Sequence, residues 1–208
     1  MGQRGGLGER GNGTMKFMVL SDLHGSLSAF ERAAEIFERD GFDWLILCGD
    51  YLNHGPRNGI PTGHDPLGLA KALNRFADRI VAVRGNCDGE VDQMLLEFPC
   101  LADYATVLLE GRRIVVTHGH LWGGVEAMTG GPGRRDGIAS PPIRAGDILV
   151  SGHTHIAGLG SANGVILANP GSPVFPKNGT GMGYATLTGE RIELVDFERG
   201  TLDAMDLR

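Results

Sequence analysis

Three short apolar runs, at 16–20, 44–48 and 80–83, are separated by two stretches of helical periodicity, and each run reads as a buried strand. The first helix is expected to open at a Ser28-x-x-Glu31 capping box, to gather Phe30, Ala33, Ala34 and Phe37 on one face, and to stop at Gly41. A second helical pattern covers 67–77, and a short third one covers 91–97. Strands that are apolar throughout need cover on both faces, so this alternation predicts an α/β sheet flanked on each side. Downstream the texture turns to β. Residues 106–109 and 113–116 read as a hairpin about Glu110-Gly111, and 147–150, 165–167, 184–187 and 192–197 as further strands, expected to form a second sheet packed on the first.

No Pro/Ser-rich linker divides these halves, so one domain is expected over 15–208, after a glycine-rich flexible extension at 1–14. The Gly/Pro-rich stretch at 123–142 is expected to be a surface loop, with Trp122 and this loop a candidate lid. Lys and Arg number 19 against 25 Asp and Glu, a net charge of −6, which weighs against a non-specific nucleic-acid binder. Cys48, Cys87 and Cys100 are odd in number and lack zinc-ligand spacing, so a disulfide scaffold is not expected and a reducing, cytoplasmic setting is. No apolar run is long enough to span a bilayer, and no secretory signal opens the chain.

The polar residues with chemical potential stand just after the expected strands. Asp22-x-His24 follows the first, Gly49-Asp50 the second and Gly85-Asn86 the third; His118-Gly-His120 follows the hairpin, and Gly152-His153-Thr-His155 the next strand. Ligands in such folds bind beyond the carboxyl ends of strands, so these clusters should converge on one rim. Within extended chain, Asp-x-His and His-x-His would each point both side chains to one face. Carboxylates, an amide and imidazoles gathered together make a cage for metal ions.

Ser21-Asp-Leu-His-Gly25, Gly49-Asp50, Gly85-Asn-Cys-Asp88, Thr117-His-Gly-His120 and Gly152-His-Thr-His155, in that order, resemble the calcineurin-like metallophosphoesterase superfamily. The detailed wording is similar to its YfcE-like branch of bacterial phosphodiesterases. The resemblance implies a two-sheet β-sandwich flanked by helices, in four layers α/β/β/α. It implies two divalent ions: one held by Asp22, His24 and His155, the other by Asn86, His118 and His153, with Asp50 bridging both. Mixed oxygen and nitrogen ligands suit Mn²⁺ best here, with Zn²⁺, Fe²⁺ and Ni²⁺ as alternatives. A water activated between the ions would attack a small soluble phosphodiester.

Where many superfamily members carry a proton-donating His, this chain has Cys87, a poorer match to leaving-group protonation. His120 is expected either to orient a ligand or to satisfy a carbonyl. His54 and Arg57 either face the phosphate, where a guanidinium binds two oxygens at once, or belong to an ordinary polar loop. His64 is expected in solvent, Cys48 and Cys100 in the core. Competing readings are a phosphomonoesterase or nucleotide phosphatase of the same superfamily and a non-catalytic interaction scaffold on the same fold. No membrane or nucleic-acid partner is expected, and homo-oligomerisation is left open.

Overall fold

The computed structural model describes residues 14–122 and 141–207. Expectations for residues 1–13 and for 123–140, the lid among them, fall outside these. Strands β1 (Phe17–Leu20), β2 (Trp44–Leu47) and β3 (Ile80–Ala82) pair in parallel in that order. Between them lie α1 (Leu27–Arg39) and α2 (Pro66–Asn74), and α3 (Glu90–Leu95) follows β3. The remaining strands are β4 (Tyr104–Leu109), β5 (Arg112–Thr117), β6 (Ile148–Val150), β7 (Gly158–Ala162), β8 (Val165–Asn169), β9 (Gly183–Leu187), β10 (Arg191–Asp196) and β11 (Gly200–Asp206).

Two mixed sheets result, ordered β11-β10-β9-β1-β2-β3 and β4-β5-β6-β8-β7. The expectation that the β-rich half forms the second sheet is therefore corrected. Its last three strands return to the first sheet, where β9 runs antiparallel to β1.

Side-chain alternation along the apolar strands explains their double burial. Phe17, Val19 and Ile46 face Ile114, Val116, Ile148 and Val150 between the sheets. Met18, Leu20, Leu45 and Leu47 point the other way and pack with Phe30, Phe37, Leu69, Leu73 and Phe76 from the helical side. The outer face of the second sheet is covered by Trp122, which packs with Val115, Leu149 and Val165 and meets Tyr104 edge to face. Trp122 is thus a core residue and not a lid.

The first helix opens two residues earlier than the capping-box reading. Ser26 is its N-cap and accepts from Ala29 N–H, while its hydroxyl donates to the Thr62 carbonyl at 2.7 Å. Gly41 follows the last turn with φ +67°, as a C-terminal stop requires. The hairpin turn at Glu110-Gly111 takes positive φ at both residues, the conformation that matches strand twist.

Candidate metal centre

The carboxyl ends of β1, β2, β3, β5 and β6 carry Asp22 and His24, Asp50, Asn86, His118, and His153 and His155 in turn. The backbone ladder continues past the strands: Asp22, His24 and Gly25 N–H groups donate to the carbonyls of Gly49, Asp50 and Tyr51 at 2.8–3.0 Å. Across the sandwich, His153 N–H donates to Asp22 Oδ2 at 2.9 Å, tying the two sheets at the site.

The paired motifs are not extended chain, as periodicity alone suggests. Asp22, His24, Asp50, His153 and His155 all have positive φ, between +48° and +68°. Left-handed backbone is uncommon outside glycine and costs about 1–3 kcal/mol per residue, and it gathers where surrounding structure demands it. Two glycines make room for the carboxylates. A Cβ on Gly85 would stand 2.0 Å from Asp50 Oδ1, and one on Gly152 would stand 2.8 Å from Asp22 Oδ2.

Three imidazoles are aimed by backbone carbonyls. His24 Nδ1 donates to Asn53 O at 2.9 Å, His118 Nδ1 to Cys48 O at 2.6 Å and His155 Nδ1 to Phe175 O at 3.0 Å. A carbonyl can only accept, so in each neutral ring the proton sits on Nδ1 and Nε2 presents a lone pair. Those lone pairs converge. His24 and His155 Nε2 lie 3.2 Å apart, and His155 Nε2 is 3.2 Å from Asp22 Oδ1. Asp50 Oδ2 lies 3.7 Å from His24 Nε2 and 3.6 Å from His118 Nε2, midway between the two rings. His118 Nε2 is 3.2 Å from Asn86 Oδ1.

Donor atoms of Asp22, His24 and His155 fall within 4.8 Å of one another, and so do those of Asp22, Asp50 and His118. His24, Asp50 and Cys87 form a third such group. Asp22 Oδ1 is buried without a hydrogen-bond partner, and buried acceptors facing acceptors are costly unless a cation lies between them. The donor set therefore fits divalent metal. Burial would raise Asp22, but the neighbouring imidazoles of His155, 3.2 Å from its Oδ1, and of His118 outweigh it and hold its carboxyl below the usual range.

His153 and His120 complete the imidazole group. Their rings lie 5.1 and 5.2 Å from that of His118, centre to centre. Burial lowers both, and the crowding by His118 and His153 takes His120 to about 4. His120 Nδ1 is buried and has no partner among the described residues. Cys87 lines the cleft, accepts from Asn86 Nδ2 at 3.2 Å, and donates its backbone N–H to Asp50 Oδ1 at 2.9 Å. Burial and the Asp50 charge push its thiol up to about 12. Asp88 accepts from the N–H groups of Asp50, Tyr51 and Gly85, so it fastens the β2 and β3 loops together.

Arg57 lines the same cleft, whereas His54 packs edge to face on His64, with ring centres 5.6 Å apart. His64 is half-buried, not solvated, with Nε2 enclosed. Cys48 and Cys100 are core residues. Sequence reasoning passed over Ser172, whose hydroxyl donates to the Asp22 carbonyl at 2.9 Å, and over Phe175 and Lys177. These residues act through backbone groups or from an irregular segment, which leaves no spacing signal.

A family model described as the calcineurin-like phosphoesterase superfamily domain matches residues 15–191. Phosphodiesterase YfcE of Escherichia coli strain K12 is 43% identical over 181 residues, covering 87% of this chain and 91% of that protein. The probable metallophosphoesterase YsnB of Bacillus subtilis is 30% identical over 176 residues, 85% of each chain. The solved structure of the Escherichia coli phosphoesterase Yfce superposes with a TM-score of 0.83 at 40% identity, covering 93% of this chain and all of that one. The two-sheet fold, the buried carboxylate–imidazole cluster and this coverage together make the chain a member of the calcineurin-like phosphoesterase superfamily.

Proposed function

We propose that this protein is a divalent-metal-dependent phosphodiesterase that hydrolyses a small phosphodiester with water as nucleophile. One observation carries the reading: the Nε2 lone pairs of His24 and His155 face each other at 3.2 Å beside the unpartnered Asp22 Oδ1. Asp22, His24 and His155 would hold one ion, and Asn86, His118 and His153 a second. The midway position of Asp50 Oδ2 between His24 and His118 supports a bridging role for Asp50. When bound, two such ions supply Lewis-acid activation of water and charge compensation for the phosphoryl oxygens, and Mn²⁺ is the favoured occupant.

Hydrolysis forms one P–O bond from water, breaks the P–O bond to the leaving oxygen, and hands that oxygen a proton. Cys87 and His120, both at the cluster, are poor donors for that last step. Cys87 is a neutral thiol with its pKa pushed to about 12. His120, lowered to about 4, is neutral at pH 7 and has only its single ring proton. Esters whose leaving oxygen departs as a stable anion are therefore preferred over alkyl monoesters. Phosphodiesterase YfcE, the 43%-identical relative, supports the choice of diester over monoester.

The test is metal analysis of the purified protein together with turnover of bis(4-nitrophenyl) phosphate. Stoichiometric divalent metal and turnover that EDTA abolishes are expected. Absence of both overturns the reading in favour of a scaffold.

A further inference from the structure

The cleft above the cluster encloses about 930 Å³, far more than a phosphoryl group fills. Pockets of this size enclose whole small ligands, so the ester arms of the substrate lie inside it too. Among the described residues the lining holds no Phe, Tyr, Trp, Leu, Ile, Val or Met. Its charges outside the buried cluster are Arg57 and Lys177. Arg57 comes from the segment after β2 of the six-stranded sheet, and Lys177 from the segment after β8 of the other.

Neither cation has a side-chain partner among the described residues. Arg57 is the one described arginine without a carboxylate, carbonyl or ring against its guanidinium; Arg84, Arg113 and Arg191, by contrast, hold Asp103, Asp147 and Asp206. Lys177 has no side-chain partner among the described residues, yet its backbone is fixed. Its N–H donates to His155 O at 2.9 Å, and its carbonyl accepts from Thr180 Oγ1 at 2.8 Å. Two exposed cations on a chain of net charge −6, unpaired among the described residues and lining one cleft, are placed for an anion that arrives with the substrate.

Resting on the phosphodiesterase reading, we infer that Arg57 and Lys177 form a second phosphate subsite, and that the substrate is a diester with a phosphate monoester on its non-reacting arm. A planar guanidinium fork and a point-charge ammonium together suit a dianion with three equivalent oxygens, where one arginine would suffice for a carboxylate.

The experiment compares bis(4-nitrophenyl) phosphate with 4-nitrophenyl 2-phosphoethyl phosphate on the metal-loaded protein, its Arg57→Ala, Lys177→Ala and double variants, and Arg57→Lys. Wild type is expected to favour the phosphate-bearing diester in kcat/KM. Each alanine should cut that preference about tenfold, through KM, as expected for loss of a charge-assisted contact; Arg57→Lys should keep part of it. Rising salt should erode it in wild type and leave the double variant flat. An equal preference in wild type and double variant overturns the subsite. Calorimetry with ethane-1,2-diyl bisphosphate, against methyl phosphate as reference, decides the same point without turnover. Loss of at least tenfold for the bisphosphate in the double variant supports the subsite, and unchanged affinity refutes it. If bis(4-nitrophenyl) phosphate is not hydrolysed at all, the phosphodiesterase reading fails while the calorimetric result stands by itself.

Discussion

Asp50→Asn separates what the buried carboxylates cost from what they hold. Asp22 and Asp50 are at most 2% exposed. Their donor atoms and that of His118 lie within 4.8 Å of one another, where two unit charges repel by about 3.5 kcal/mol at an effective dielectric of about 20. The amide oxygen that the substitution introduces can still accept from Cys87 N–H, now 2.9 Å from Asp50 Oδ1, so that backbone bond survives. After some loss of attraction to the neighbouring imidazoles, the metal-free variant should be about 2 kcal/mol more stable than wild type. For a chain of this size that is a Tm rise of roughly 4–8 °C. Metal should act in the opposite sense. At a hundred times its dissociation constant a bound ion adds about 2.7 kcal/mol to wild type, and the variant, lacking the charge between both rings, should gain little. Turnover should fall by at least roughly 10²–10³-fold, as when a group that stabilises transition-state charge is removed. Thermal melts in EDTA and in Mn²⁺, with rates on bis(4-nitrophenyl) phosphate, read all three. A metal-free variant less stable than wild type would refute the repulsion argument. A wild-type metal shift with near-normal turnover would remove Asp50 from the centre.

Chelation should abolish hydrolysis, and Mn²⁺ should restore it better than Mg²⁺, because imidazole-rich sites favour borderline ions; full activity in excess EDTA refutes this. Cys87→His should accelerate alkyl esters more than nitrophenyl esters, since general acid catalysis is worth about 10²–10⁴-fold only where the leaving oxygen needs a proton. Equal dependence on leaving-group pKa in both proteins would show that the position does not govern proton donation. Asp147→Asn should cost about 2–3 kcal/mol at pH 7, because the buried carboxylate grips the partly exposed Arg113. Burial would raise Asp147, but the Arg113 and Arg144 contacts outweigh it and lower its pKa. Its contribution is therefore present above the unfolded carboxylate range and lost as pH falls through the lowered value, so the two urea curves should converge once pH drops below it.

The elements legible in the sequence are those whose burial writes a pattern. β1 and β2 are apolar at every position because one face meets the helices and the other meets the second sheet. By contrast, Gly158–Ala162 and Gly200–Asp206 escaped notice because β7 and β11 are edge strands with mostly exposed or half-buried side chains, so neither needs apolar alternation. The return of β9 to the first sheet is likewise invisible locally. Val165–Asn169 and Gly183–Leu187 read alike as short strands, and only their pairing with β6 and β1 separates them. Ser26 and Ser28 both suit a helix start, and Ser26 has the tertiary anchor through the Thr62 carbonyl.

The residues that converge on the rim are legible in the sequence by type and order, but an extended chain is not what brings them together. Periodicity of two would align Asp22 with His24 only in extended chain, and neither residue is extended. Each sits in left-handed backbone, as do Asp50, His153 and His155. That conformation turns the chain back at the end of a strand and tips the side chain inward over the rim. Asp, Asn and His are also the non-glycine residues that tolerate it best, so one short list of residue types meets the backbone demand and also offers donor atoms suited to a cation. The strain is offset locally by the ladder between Asp22–Gly25 and Gly49–Tyr51, by Asp88 on three N–H groups, and by the His153 N–H on Asp22. Each compensating bond holds backbone, and none consumes Asp22 Oδ1 or the Nε2 atoms of His24 and His155 in a bond to backbone. The rim is thus rigid in its main chain while its inward lone pairs stay available to a cation.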